Sequence, residues 1–167
     1  MGDFYQNGLV PTLHNFGTRT IEDLETELNE FSSQRPMSLI IPCLITELDG
    51  PALANIVKEI SKVPYLREIV IGLDGATAEQ YEYAKEYFSV LPQYHRVLWN
   101  DGPHAKELEK VLEKKGLAPG ERGKGRNVWY CFGYCIASDK GEAIALHDAD
   151  ILTYNRELLA RLIYTVA

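Results

Sequence analysis

Two aspartates, Asp148 and Asp150, close a short apolar run that begins at Ala143. The run follows Gly141 and has the length of a buried strand. A strand has no need of carboxylates two residues apart at its end, but a divalent cation does. Hard oxygen ligands on neighbouring positions hold Mg²⁺ or Mn²⁺ and leave other positions for phosphate oxygens and water. Such a cation would neutralise a diphosphate, either to hold it or to help it leave. The competing reading is that Asp148 or Asp150 caps a helix suggested by residues 155–163. His147, next to the pair, reads as a strand histidine packed in the core more readily than as a ligand or base.

A second group with chemical potential is Gly120-Glu121-Arg122-Gly123-Lys124-Gly125-Arg126. Its glycines allow close approach of a ligand to the backbone, and Lys124 can place a point charge on a phosphate. It is not a Walker loop, and no Gly-x-Gly-x-x-Gly opens the first βα turn, which argues against a Rossmann dehydrogenase. A solvated connector is the other reading of this segment. No Ser-His-Asp or Cys-His constellation can be assembled from the spacing.

The elements that would position these groups alternate between strand and helix. Short apolar runs fall at residues 37–41, 66–73, 96–99 and 143–147, the first stopped by Pro42. Helices are expected between them: one opening at Pro51, one capped by Thr77 and Gln80, one carrying Leu108, Val111 and Leu112. A fourth would present Val128, Trp129, Phe132, Cys135 and Ile136 as its apolar side. The polar stretch 117–126 is expected to be loop. Strands separated by such helices predict a three-layer α/β/α fold on a mostly parallel sheet. Ligands in such folds bind outside the carboxyl ends of the strands. Those ends carry Pro42-Cys43-Leu44 with Glu47, Asp74-Gly75, Asn100-Asp101-Gly102, and Asp148-Ala149-Asp150. Taken singly, Asp74-Gly75 and Asp101-Gly102 read as turns, but the strand ends as a set on one edge read at least equally as a binding site. Ahead of the alternation, residues 1–36 read as an N-terminal extension with one helix. That helix is capped by Thr20, and Phe4, Tyr5, Leu9, Leu13 and Phe16 before it are expected to dock.

Composition narrows the partners. The net charge is 17 − 24 = −7, which argues against a nucleic-acid backbone or an anionic membrane as main partner. Seven of the 17 cations nevertheless fall within residues 106–126, enough for a small anion. Cys43, Cys131 and Cys135 lack metal-site spacing and read as buried thiols. No apolar run suits a bilayer and no signal peptide is evident, so the expected compartment is the cytoplasm.

Ser38-Leu39-Ile40-Ile41-Pro42-Cys43-Leu44, the stretch 69–77, Gly123-Lys124-Gly125 and Asp148-Ala149-Asp150 together resemble a GT-A glycosyltransferase, matching in order and approximate spacing. Within that group the chain is most similar to glucosyl-3-phosphoglycerate synthases and their mannosylglycerate-type relatives. The resemblance implies that residues 37–167 are the donor-binding portion of a nucleotide-diphospho-sugar transferase domain. The reaction implied is retaining transfer of a hexose, from UDP-glucose foremost or from GDP-mannose, to a glycerate-type acceptor, with Mg²⁺ or Mn²⁺. Carried over by position, Pro42, Leu44 and Glu47 would line the nucleoside pocket, and Asp74, Gly75 and Ala76 would approach the base or ribose. Lys124 would contact the donor ribose or phosphates, Asp148 the donor sugar or ribose, and Asp150 the metal. No residue is assigned to the catalytic step.

This chain departs from the pattern in reading Ile45-Thr46-Glu47 where relatives often have Asn-Glu-Glu, and in lacking a serine before Thr77. The resemblance also places the acceptor site and a third metal ligand beyond residue 167. A nucleotidyltransferase and a non-catalytic nucleotide-binding module remain the alternatives. Apolar residues near the C-terminus, among them Tyr154, Leu158, Leu159, Leu162, Ile163 and Tyr164, predict self-association through that segment.

Overall fold

The computed structural model describes residues 19–167; the apolar residues expected to dock between Phe4 and Phe16 lie outside them. Four strands form one sheet: β1 (Met37–Leu44), β2 (Leu66–Asp74), β3 (His95–Trp99) and β4 (Ala143–Leu146). Their order is β3-β2-β1-β4, and all three pairings are parallel. Six α-helices accompany them: α1 (Ile21–Phe31), α2 (Pro51–Ile60), α3 (Ala78–Phe88), α4 (Pro103–Lys114), α5 (Lys124–Ser138) and α6 (Arg156–Ile163).

Side chains alternate across the two central strands, as a pleat requires. Leu39, Ile41 and Cys43 of β1, with Ile69, Ile71 and Leu73 of β2, enter the larger core shared with α1, α2, α3 and α6. Ile40 and Val70 face the other way and meet Cys131 and Cys135 of α5. Helix α1 belongs to the larger core, with Leu24 and Leu28 fully buried. Each such burial contributes about 1.5–3 kcal/mol.

Pro42 does not stop β1. It pairs in register with Gly72, and the strand continues to Leu44. The reason lies in which neighbour Pro42 faces. The carbonyl of Ile40 accepts from His147 N–H at 3.0 Å, so residue 40 points its polar groups toward β4. Residue 42, two along, points the same way. Pairing with β4 ends at Ile40 and Leu146, so the missing N–H of Pro42 leaves no ladder bond unmade.

Helix α5 begins at Lys124, so the expected loop is shorter than residues 117–126. Of the apolar stripe read from the sequence, only Cys135 lies on the helix's buried face. Arg126, Asn127, Tyr130, Cys131 and Cys135 are buried, whereas Trp129, Phe132 and Ile136 are exposed. Two polar pins to β2 set this rotation. Asn127 Nδ2 donates to the Gly72 carbonyl at 2.8 Å, and Tyr134 Oη donates to the buried Glu68 carboxylate at 3.0 Å. The pins also fix polarity: α5 runs antiparallel to β2, with its N-terminus at the carboxyl edge of the sheet. Helix α4 buries none of its residues, and Leu108 and Val111 lie open. The C-terminal apolar residues are instead largely internal. Tyr154, Leu159 and Ile163 are buried, Leu158 and Tyr164 pack against the core, and Leu162 remains exposed. That arrangement removes most of the surface from which C-terminal self-association was expected.

Candidate donor-binding site

The carboxyl edge of the sheet collects the polar strand ends. At β1, Leu44 is exposed, and its N–H donates to Glu47 Oε2 at 2.6 Å across a short 3-10 turn, Ile45–Asp49. Glu47 is thereby used locally, as a cap. At β2, Asp74 is buried, and its Oδ1 has no hydrogen-bond partner. The next residue, Gly75, adopts φ +79°, a conformation open to glycine at little cost. The Ala76 carbonyl accepts from Trp99 Nε1 at 2.9 Å, and the Trp99 ring stacks on Tyr81 with centroids 5.0 Å apart.

At β3, Asn100 N–H prolongs the ladder by donating to the Leu73 carbonyl at 3.0 Å. Asp101 Oδ2 accepts from Gly75 N–H at 2.6 Å, and Asp101 Oδ1 pairs with Arg122. These residues enclose a groove of about 560 Å³ whose walls include Gly75, Ala76, Trp99, Lys106 and Arg122. A larger apolar groove of about 1030 Å³ shares Trp99 with it and runs along β3 between α4 and α5.

At β4, Lys124 Nζ meets Asp148 Oδ1 at 2.5 Å. Lys124 is the first residue of α5, and Gly123, at φ +150°, supplies no side-chain cap. Donors of the first helical turn therefore face the edge, where the helix dipole also favours an anion. Asp150 is exposed. Neither aspartate caps α6; Asn155 does, its side chain accepting from Leu158 N–H at 3.0 Å. The structure thus removes the capping explanation for the Asp148/Asp150 pair.

His147 is core. It is 3% exposed, Nδ1 lies 2.9 Å from Tyr154 Oη, and burial pushes its pKa down to about 4. No group of three or more His, Cys, Asp or Glu side chains suited to a metal forms among the described residues. With Asp148 paired to Lys124, exposed Asp150 fits only a hard cation that takes the rest of its coordination from phosphate and water, not one caged by protein alone.

The fold therefore brings Lys124 to Asp148 and places Gly75 and Ala76 on the smaller groove. Pro42 is buried in the sheet, and Pro42, Leu44 and Glu47 stay on the β1 end, away from that groove's walls. Sequence reasoning named Asp101 only as one of the strand ends and Arg122 only as part of the glycine-rich segment, without pairing them. It passed over Asn127, which lies one helical turn after Lys124.

No protein-family profile matches the chain. Two curated proteins do. One, from Persephonella marina (strain DSM 14350 / EX-H1), is 45% identical over 166 residues, covering 99% of this chain and 41% of that protein. The chain resembles glucosyl-3-phosphoglycerate synthases. The second such synthase, from Methanococcoides burtonii (strain DSM 6242 / NBRC 107633 / OCM 468 / ACE-M), is 40% identical over 165 residues, covering 98% of this chain and 40% of that protein. The chain spans about two fifths of the length of these synthases. The parallel sheet layered between helices agrees with the GT-A architecture expected for the synthases.

Proposed function

We propose that this chain is the donor-binding portion of a retaining glycosyltransferase that moves a hexose from a nucleotide sugar to a glycerate-type acceptor such as 3-phosphoglycerate. UDP-glucose is the foremost donor and GDP-mannose the other. The observation that carries the reading is the meeting of Lys124 with Asp148 at the carboxyl edge of the sheet, the same edge that carries the groove bounded by Gly75 and Ala76. The names of the two relatives point to the same transfer.

In this reading the groove takes the nucleoside, and the Asp74–Ala76 turn presents its backbone to base or ribose. Lys124 leaves Asp148 for a diphosphate oxygen, with the first-turn N–H groups of α5 behind it. Asp148 is then free for the donor sugar or ribose. Asp150 would hold Mg²⁺ or Mn²⁺, whose charge offsets that of the diphosphate when bound. Lys124 and the helix terminus stabilise the same departing charge, the main electrostatic task of the transfer. The reading includes a cytoplasmic protein; among the described residues no helix is long and apolar enough to cross a membrane.

Calorimetric titration of the chain with UDP-glucose and GDP-mannose, with and without Mn²⁺, tests the donor half. Binding that needs Mn²⁺ is expected. Transfer of labelled glucose to 3-phosphoglycerate tests the acceptor half. Binding without transfer is the outcome expected of a donor-binding portion, since the chain spans about two fifths of the length of the synthases. Absence of binding to either sugar nucleotide would overturn the proposal.

A further inference from the structure

Asp101 follows β3 where the sequence suggests only a turn, yet its carboxylate makes two contacts a turn does not need. Oδ2 accepts from Gly75 N–H at 2.6 Å, 26 residues away in sequence. Oδ1 pairs with the guanidinium of Arg122, in the glycine-rich segment. The Asp101 side chain is only 17% exposed, so solvent screens this pair less than an open surface pair, although Arg122 itself is 62% exposed.

The second contact gains meaning from Lys124, two residues beyond Arg122. Arg122 is held at the end of β3 and Lys124 at the end of β4, the two outer strands of the order β3-β2-β1-β4. The backbone of residues 122–124 spans at most about 7 Å, so the two long side chains, reaching opposite ways, link the outer strand ends across the edge. Their anchors stand on either side of the β1 and β2 ends. Gly75 lies at the β2 end and depends on the same Asp101.

We propose that Asp101 is a positioning residue for the nucleotide site. One oxygen sets the turn that presents Gly75 and Ala76, and the other holds the Arg122 end of the bridge whose far end carries Lys124. Asp101 touches no reacting atom. The inference rests on the nucleotide-sugar reading above and adds to it a residue that acts through two others.

Two substitutions separate the two contacts. In Asp101→Asn the side-chain carbonyl can still accept from Gly75 N–H, but no ion pair with Arg122 forms. In Asp101→Ala both contacts are lost. Hydrogen exchange at the Gly75 amide, without ligand, reads the first contact. UDP titration with Mn²⁺ reads the consequence for binding, and thermal melting confirms that each variant folds.

Asp101→Ala should speed Gly75 exchange and weaken UDP by about tenfold, the value of one charge-assisted contact. Asp101→Asn should keep Gly75 protected and weaken UDP less. Arg122→Ala should match Asp101→Asn, and the double variant should be no weaker than either alone. If Asp101→Ala fails to fold, Asp101→Asn and Arg122→Ala carry the test. Parent-like UDP affinity in Asp101→Ala, or in both Asp101→Asn and Arg122→Ala, overturns this role alone. A parent chain that binds no nucleotide diphosphate overturns the role together with the proposed function.

Discussion

Asn127 and Gly72 are bonded to each other across 55 residues of sequence, Nδ2 to carbonyl oxygen at 2.8 Å, in the buried layer between α5 and β2. The bond needs a residue with no side chain on the strand. A Cβ on Gly72 would lie 1.8 Å from Asn127 Oδ1 and 2.5 Å from Cys131 Sγ. The pair therefore sets how closely α5 rides on the sheet, and with it the position of Lys124 one turn earlier.

Gly72→Ala is expected to destabilise the chain by about 1–3 kcal/mol through overpacking. Asn127→Leu should cost about 1 kcal/mol, the net worth of the lost side-chain bond, because the Gly72 carbonyl keeps its place in the β1–β2 ladder. Urea unfolding measures both. A Gly72→Ala chain as stable as the parent would show that α5 is not held by this contact.

Lys124→Ala tests the phosphate assignment. A charge-assisted contact worth about 1.5–3 kcal/mol predicts at least about tenfold weaker binding of UDP. Uridine, which has no phosphate, should bind as before. Equal weakening of both ligands would place Lys124 elsewhere than on the diphosphate.

Asp150→Ala tests the metal assignment. The residue is exposed and carries no structural duty in the fold, so melting should be unchanged. The gain in UDP affinity that Mn²⁺ confers on the parent should disappear. A parent whose UDP affinity is the same in EDTA as in Mn²⁺ would rule the assignment out.

The three thiols give a test with an opposite expectation. Cys43, Cys131 and Cys135 are free and buried. Burial pushes all three pKa values up, that of Cys135 to about 11. A thiol raised in the folded state adds stability below its unfolded pKa of about 8.5, and that stability is lost as pH climbs toward the folded value. Native chain at pH 8 should therefore resist a thiol reagent, with three equivalents reacting once urea is added. Unfolding free energy should fall between pH 9 and 11. Rapid labelling of the native chain would contradict the packing of α5 on β2.

The strand–helix alternation was legible because period-two and helical apolar patterns are local properties. Thr77 with Gln80 and Thr20 with Asp23 could be read as caps for the same reason, and both are formed. The rotation of α5 could not be read that way. Trp129, Phe132 and Ile136 make the more apolar stripe, but polar pins at Asn127 and Tyr134 outweigh it, and their partners Gly72 and Glu68 lie on another strand. Asp101 was hidden similarly, since Asp-Gly after a strand has a sufficient local explanation. Asp148 and Asp150 stood out because no local structural need accounts for them.

Pro42 has a consequence for those aspartates. Extending the β1–β4 register past Ile40 and Leu146 would set Asp148 opposite Pro42. A proline there offers no N–H to the His147 carbonyl, so the ladder bond that would carry β4 one pair further cannot form. The acidic turn is kept out of the sheet by an atom that is missing from the covalent structure. Heat, salt and the absence of ligand cannot supply that atom. The turn is thus held open before anything binds.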